Sequence, residues 1–526
     1  MSGMPRPGTA ADDHGRWTVL AVLCASLLLV AVDATVLHVA VPAVSEDLGP
    51  SAVELLWIVD SYPLICAALL VLFGTLGDRV GRRRVLLLGY ACFGVASALA
   101  AYAPSAEILI LGRALLGAGG AMIMPATLSI LRQVFPDRRE RALAVGVWSA
   151  VAAVGAGVGP LVGGVLLEHF WWGSVFLVNI PLMALCLPVG ALLLPESTGD
   201  RSGPWDVGGA LTAAIGLFSV ILAVKRAGGG DLFTLGTALA AGLGGALLVL
   251  FVRRQRARGY PLIDLSAFAR PAFGTSVGCI VLTVLALVGL ALVAAQYLQL
   301  VLGLSPLETG LRLLPLSLAA IAAGLVGSRL LHRLGPRAMV ALGFALTAVA
   351  VLTLTCLDEQ DRPLVMGVGF VLLGFGLETT LFASYESMLS EAPASEAGGA
   401  AAIGETAYQF GAGIGIALLG SVMNAMYAPG VRGVSGVGAE DAEAAGQSLG
   451  GAYTVAARLG GDAGEALKEA ARDAFVRGMH MTLVASAVVL LAGAVAALRL
   501  PRALTGCERH PRVQERELLP SGVTRR

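Results

Sequence analysis

The chain has 526 residues, 56% of them hydrophobic and 14% charged, with a mean hydropathy of +0.80, whereas soluble domains carry about 25% charged residues. So few charges cannot solvate a globule of this size, which excludes a water-soluble protein and points to the bilayer. The 36 Lys and Arg balance 36 Asp and Glu; zero net charge names no partner, no nucleic acid is expected, and only the placement of charge is informative. Six of the seven cysteines (Cys24, Cys66, Cys92, Cys186, Cys279 and Cys356) fall in apolar runs and Cys507 lies in the polar tail. Without CxxC pairs or metal-ligand spacing they read as packing residues, and neither a metal nor a catalytic group is expected.

The first sixteen residues are polar and read as a short disordered tail. Apolar runs follow at about 17–43, 53–73, 85–103, 106–131, 142–167, 173–194, 207–224, 233–252, 273–301, 309–331, 338–357, 363–390, 400–427 and 478–499. Each is long enough to cross a hydrocarbon core of about 30 Å as a helix, which predicts an all-α membrane protein with about fourteen spans. Segment 428–477 is the one long polar interruption. Within it Leu467, Ala471 and Phe475 share a helical face, so a short helix resting on the outer membrane surface is expected there.

If the N-terminus is cytoplasmic, the inward tails and loops hold 26 Lys and Arg against 9 in the outward segments. Clustered basic residues beside spans belong on the cytoplasmic side, so both termini are expected inside. The densest cluster is Gly74-Thr75-Leu76-Gly77-Asp78-Arg79-Val80-Gly81-Arg82-Arg83-Arg84, between spans 2 and 3. A degenerate second copy, Gly324-Leu325-Val326-Gly327-Ser328-Arg329 and then Arg333-Leu334-Gly335-Pro336-Arg337, joins spans 10 and 11 with Ser328 in place of the Asp. Such repeats are expected when two six-helix halves arise by duplication. Spans 7 and 8 then remain as an inserted pair.

The first of these motifs resembles the loop between helices 2 and 3 of the major facilitator superfamily. In span 5, Gly155-Ala156-Gly157-Val158-Gly159-Pro160-Leu161-Val162-Gly163-Gly164 places small residues three and four apart, which lets helix backbones approach closely, with a proline that bends the span. Its pattern, carried by Gly155, Gly159, Pro160, Gly163 and Gly164, resembles the antiporter motif of that superfamily. Further stretches look like the fourteen-helix drug:proton antiporters: Asp33 to Pro42, Trp57 to Tyr62, Leu111 to Gly117, and Asn179-Ile180-Pro181. The sequence departs from that pattern at His38, which adds a protonatable group near the site, and at Trp172-Gly173-Ser174.

The resemblance implies a major facilitator fold: two six-helix bundles plus two linking helices, with both termini cytoplasmic. The expected layout is a tail at 1–16, an N-terminal bundle at 17–195, a linker with the two extra helices at 196–258, a C-terminal bundle at 259–500 that includes the external loop 428–477, and a tail at 501–526.

Charges inside hydrocarbon are costly and persist where they face a cavity or a partner. Asp33, Asp60, Glu378, Glu386 and Glu405 lie in spans. Competition of proton and cation for one carboxylate is the simplest way to couple their movements; Asp33 leads, Glu405 follows, then Asp60 and Glu378, while Glu386, near a helix end, reads as interfacial. Arg113 is the lone intramembrane cation, and resemblance implies a part in proton coupling; a fixed structural ion pair is the alternative. Trp57, Tyr62, Tyr297, Tyr408 and Phe410 are candidates for stacking on a lipophilic cation. Gly74, Gly77, Asp78, Arg79, Gly81, Arg82 and Arg83 are expected to gate the cytoplasmic surface through charge-assisted bonds and helix-end dipoles.

These residues predict a monomeric plasma-membrane antiporter driven by the proton gradient, without cofactor or enzymatic activity, that exports amphipathic cationic compounds. Its expected partners are lipid, protons and small molecules. A dedicated exporter of one natural antibiotic is the alternative, given an Ala-, Gly- and Arg-rich chain with two lysines. A proton-coupled nutrient symporter would ordinarily lack the Gly155–Gly164 pattern, and a receptor would need no mid-span acids.

Overall fold

A computed structural model describes residues 10–197, 205–227, 234–259, 261–263, 265–393, 396–434 and 436–500. Most of the two expected tails, Cys507 and the side chains of His38 and Pro160 lie outside what is described. Every long element among the described residues is helical: α1 (Ala10–Leu48), α2 (Ala52–Val80), α3 (Arg82–Ala101), α4 (Ala106–Val134), α5 (Arg138–His169), α6 (Ser174–Leu177), α7 (Asn179–Leu193), α8 (Val207–Arg226) and α9 (Leu235–Ala257). They continue as α10 (Pro271–Gln296), α11 (Pro306–Leu354), α12 (Pro363–Glu391), α13 (Ala397–Arg432), α14 (Ala439–Gln447), α15 (Leu449–Leu459) and α16 (Gly461–Ala497).

Among the described residues, twelve helical stretches are long and apolar enough to cross a membrane. One of them, α11, is two spans, because Gly335 takes φ 75° and ψ 166° and turns the chain. That conformation is open to glycine at little steric cost. With α10, the described residues carry the fourteen spans that hydropathy predicts. An even number returns α16 to the end where α1 starts.

Helix starts are written locally. Ser51 and Glu54 form a capping box at α2, and Ser305 and Glu308 form another at α11, with Pro306 in its first turn. These are corresponding spans of the two sequence repeats, and both end at a glycine of positive φ, Gly81 and Gly335.

Helices α1 to α7 pack mainly among themselves, as do α10 to α13 with α16. Two seams join the groups, α5 against α11 and α2 against α13. At the first seam, Gly146 and Gly324 come so close that a Cβ on Gly324 would lie 2.7 Å from the Gly146 carbonyl oxygen. Helices α8 and α9 pack on each other, and α8 also touches both α2 and α13. The start of α8 is anchored by Asp206, which caps the Gly209 amide at 3.0 Å and accepts two hydrogen bonds from Arg254 Nε and Nη2 at 2.8 Å. Those bonds from Arg254, ahead of the cap and Arg258, hold the Asp206 carboxyl down at about 2, so this anchor stays charged at any physiological pH.

The polar segment 428–477 departs from expectation. Helix α13 runs on to Arg432, α14 and α15 fold back, and Glu465–Val476 is the opening of α16, continuous with the last span. Leu467, Ala471 and Phe475 are buried, against α15 and neighbouring helices rather than lipid. Tyr453 of α15 donates to the Leu300 carbonyl and receives a hydrogen bond from Arg472 at 2.7 Å. An apolar face of two to three turns finds a complementary helix within the chain, and this removes it from the membrane surface.

Candidate functional site

The basic end of the bundle closes on Asp78. One oxygen accepts from Arg82 Nε and Nη2 at 2.9 and 2.7 Å; across the seam, the amides of Gly398 and Gly399 donate to its two oxygens at 3.1 and 2.9 Å. Those amides open α13, so a carboxylate from one helix group sits on the helix N-terminus of the other. The approach needs glycine: a Cβ at Gly74 would lie 2.6 Å from the Ala402 Cβ, and one at Gly398 would lie 2.6 Å from Asp78 Oδ1. Gly77 has ordinary clearance from Val85, and Gly81 carries the φ of 126° that separates α2 from α3. Arg83 donates to the Ala191 carbonyl and Arg84 pairs with Glu196 at 3.5 Å, while Arg79 occupies the last turn of α2.

Two more arginines cross the seams at this end. Arg132 of α4 donates to the carbonyls of Leu389 and Ala392 at the end of α12. Arg141 of α5 pairs with Glu386 of α12 at 3.3 Å. Glu386 is fully buried, not interfacial as its position near a helix end suggested; the packing of α5 on α12 covers it and supplies its counter-charge. In sequence, Arg132 and Arg141 were legible only as topology charges.

Within the first helix group, Asp33 is fully buried and bound from two sides. Arg113 Nη1 donates to Oδ2 at 3.1 Å and Asn179 Nδ2 donates to Oδ1 at 2.7 Å. Arg113 also donates to the Ile58 carbonyl at 3.3 Å and lies 4.6 Å from the centre of the Tyr62 ring. Spans 1, 2, 4 and 6 therefore meet on one ion pair. Tyr62, expected to face a drug, already stacks on the protein's own cation.

Near the α2–α13 seam, Glu378 of α12 and Glu405 of α13 are both buried around the same two tyrosines, Tyr385 and Tyr408. Tyr385 donates to Glu405 Oε1 at 3.1 Å, and Tyr408 feels both carboxylates. Ser149 of α5 faces the Glu378 carboxyl, whose Oε1 is buried without a hydrogen-bond partner among the described residues. Trp148 packs its ring 6.2 Å from Tyr385, and Cys66 of α2 faces Glu405. An orphaned buried oxygen beside a second carboxylate and three aromatic rings suits an organic cation or a proton.

Asp60 is held elsewhere, by Lys225 in the last turn of α8. Trp57 of α2 and Phe410 of α13 pack on the nearby cluster of Leu64, Ala67 and Ile221. Lys225 reads in sequence as a loop-flanking charge, and nothing in the pattern marks it as Asp60's partner. Tyr297 does not reach any of these sites: it is buried at the end of α10, and its hydroxyl donates to the Asp358 carbonyl at 2.7 Å, because the π-turn closing α10 aims it at the neighbouring loop.

The glycine-rich stretch of α5 faces two ways. Added Cβ atoms at Gly155 and Gly163 would lie 2.6 Å from Ala31 and 2.9 Å from Val36, and one at Gly159 would strike Thr35, all on α1. Gly157 turns instead to Ser317 of α11, and Gly164 faces open space. The stripe thus presses α5 onto α1 just where α1 carries Asp33.

The sequence profile of the Major Facilitator Superfamily matches residues 23–416. The multidrug efflux pump LfrA of Mycolicibacterium smegmatis is 41% identical over 488 residues, covering 93% of this chain and 97% of that protein. The methyl viologen resistance protein SmvA of Salmonella typhimurium is 38% identical over 480 residues, covering 91% and 97%. A tetracenomycin C resistance and export protein of Streptomyces glaucescens is 32% identical over 93% of this chain and 92% of its own length. In fold, the chain resembles the human organic anion transporter MFSD10, with a TM-score of 0.61, 15% identity and coverage of 92% and 99%. It also resembles a bacterial homologue of the human lysosomal transporter Spinster, with a TM-score of 0.59, 19% identity and coverage of 94% and 98%. With these matches and this arrangement of spans, the chain is a multi-pass membrane transporter rather than an enzyme, and it belongs to the Major Facilitator Superfamily.

Proposed function

We propose that the protein exports amphipathic, cationic toxic compounds in exchange for protons, by rocking two six-helix halves around the Glu378–Glu405 chamber. The observation that carries this reading is a cluster of buried groups: two carboxylates, one with an oxygen lacking a hydrogen-bond partner among the described residues, beside Trp148, Tyr385 and Tyr408 where the helix groups meet. A proton or a cation satisfies such a group, and occupancy by one excludes the other. The relatives support the direction of transport, since their names describe efflux and resistance. We take α8 and α9 as an inserted pair outside the two halves, and a single chain as the transport unit because one chain encloses the whole chamber.

The basic end is taken as cytoplasmic. Asp78, Arg132 and Arg141 bind the halves together there, so this conformation is closed on that side. A cysteine at Ser448, between α14 and α15, is then expected to react with an impermeant thiol reagent in intact cells, and one at Gly81 is not. The reverse labelling would invert the topology. For function, expression in a pump-deficient host is expected to raise resistance to several lipophilic cations, and a protonophore is expected to abolish their efflux.

A dedicated antibiotic exporter is the second reading, favoured by the 32% identity to the tetracenomycin C exporter. Protection against one antibiotic alone across a drug panel would select it.

A further inference from the structure

The pair formed by Asp60 and Lys225 lies outside the chamber and is placed unlike the other ion pairs of the bundle. It links α2 to α8, and α8 is the one helix of the inserted pair that touches both α2 and α13. Its side chains are 17% and 19% exposed, so the pair is reachable, unlike Asp33 with Arg113. Trp57, one turn before Asp60 on α2, and Phe410 of α13 are partly buried and pack on the cluster of Leu64, Ala67 and Ile221; Leu64 lies one turn after Asp60 and Ile221 one turn before Lys225. Leu64, one turn from Asp60, is followed two residues on by Cys66, which faces Glu405, so α2 runs directly from this pair to the chamber.

The choice of cation is informative. The chain holds 36 Lys and Arg, of which only Lys225 and Lys468 are lysine. A guanidinium would grip a carboxylate with two parallel bonds, whereas a lysine ammonium is one compact charge on a flexible stem that leaves readily.

We propose that Lys225 is a tethered counter-cation on an exit subsite formed by Asp60, Trp57 and Phe410, toward the end of α2 opposite Gly81, and that a lipophilic cation leaves the Glu378–Glu405 site by displacing it. Resting on the export function above, this reading assigns the subsite its ligand class, delocalised organic cations. The departing cation gains the Asp60 charge and two aromatic faces, and a partly exposed ion pair is weak enough to yield. When the cation moves on, Lys225 returns to Asp60, which keeps cargo from being trapped at the mouth. Lys225 is thus a specificity-determining residue: it competes with cations and leaves neutral compounds unaffected.

The test uses the full-length protein in proteoliposomes, with tetraphenylphosphonium as cationic probe and chloramphenicol as neutral probe. Lys225→Met keeps the apolar stem and is expected to tighten tetraphenylphosphonium binding about fivefold, the factor that a part-exposed ion pair is worth. The KM for the cation falls with it, and chloramphenicol transport stays unchanged. Lys225→Arg pins α8 as well as lysine does, yet is expected to raise the KM for the cation. Adding Asp60→Asn to Lys225→Met should return binding to the wild-type level or weaker. Unchanged cation affinity in Lys225→Met, or equal losses for both probes, would overturn the proposal and leave Lys225 as a pin for α8. Wild-type protein that binds neither probe would overturn the export function itself, and this subsite with it.

Discussion

Asp33→Asn is expected to reduce efflux of lipophilic cations by at least about tenfold, equivalent to about 1.4 kcal/mol or more. Asp33 is fully buried, its partner Arg113 is 2% exposed, and spans 1, 4 and 6 converge on the carboxylate through Arg113 and Asn179. Neutralising the acid leaves a buried guanidinium without its counter-charge, a loss typically worth about 3–5 kcal/mol. Purely structural damage has a remedy: in Asp33→Asn with Arg113→Gln no unpaired charge remains. The double variant is expected to reach the membrane at normal levels and still fail to couple efflux to a proton gradient, because the pair is the only acid–base couple buried within the first helix group among the described residues. Proton-driven efflux regained by the double variant would reduce Asp33 to a counter-ion.

The second large effect separates gate from chamber. Asp78→Asn keeps an oxygen for the Gly398 and Gly399 amides but removes the charge that faces Arg82 and the start of α13. A charge at a helix N-terminus is worth about 0.3–2 kcal/mol, enough to shift the balance of closed and open states severalfold. Transport is therefore expected to slow for every substrate alike, with equilibrium binding and substrate preference intact. Glu405→Gln keeps the hydrogen bond from Tyr385 and removes the charge in the chamber. Cation binding is expected to fall at least about tenfold, since a carboxylate attracts strongly where water is scarce, while neutral compounds lose little. Equilibrium binding and efflux of one cationic and one neutral compound in both variants decide the matter. Altered preference in Asp78→Asn together with uniform slowing in Glu405→Gln would interchange the two roles.

Sequence alone determined the number and approximate places of the spans, because hydrocarbon thickness imposes a length and composition that hydropathy reports directly. It also marked the intramembrane acids, Arg113 and the two glycine-bounded basic motifs, since charge in lipid and positive φ are visible as residue types. What it left undecided was pairing. Glu386 read as interfacial and is buried on Arg141; Lys225 read as a loop charge and holds Asp60; Asn179 and Arg113, eighty and more residues from Asp33, share its two oxygens. Tyr62 and Tyr297 read as cavity aromatics and are taken by Arg113 and the Asp358 carbonyl. Each partner lies on a different element, and a pattern along one helix fixes which face is apolar but not which neighbour that face meets. Only the packing of α2 on α13 and of α5 on α11 and α12 decided which charges are locked at the basic end and left Glu378 Oε1 buried without a hydrogen-bond partner among the described residues.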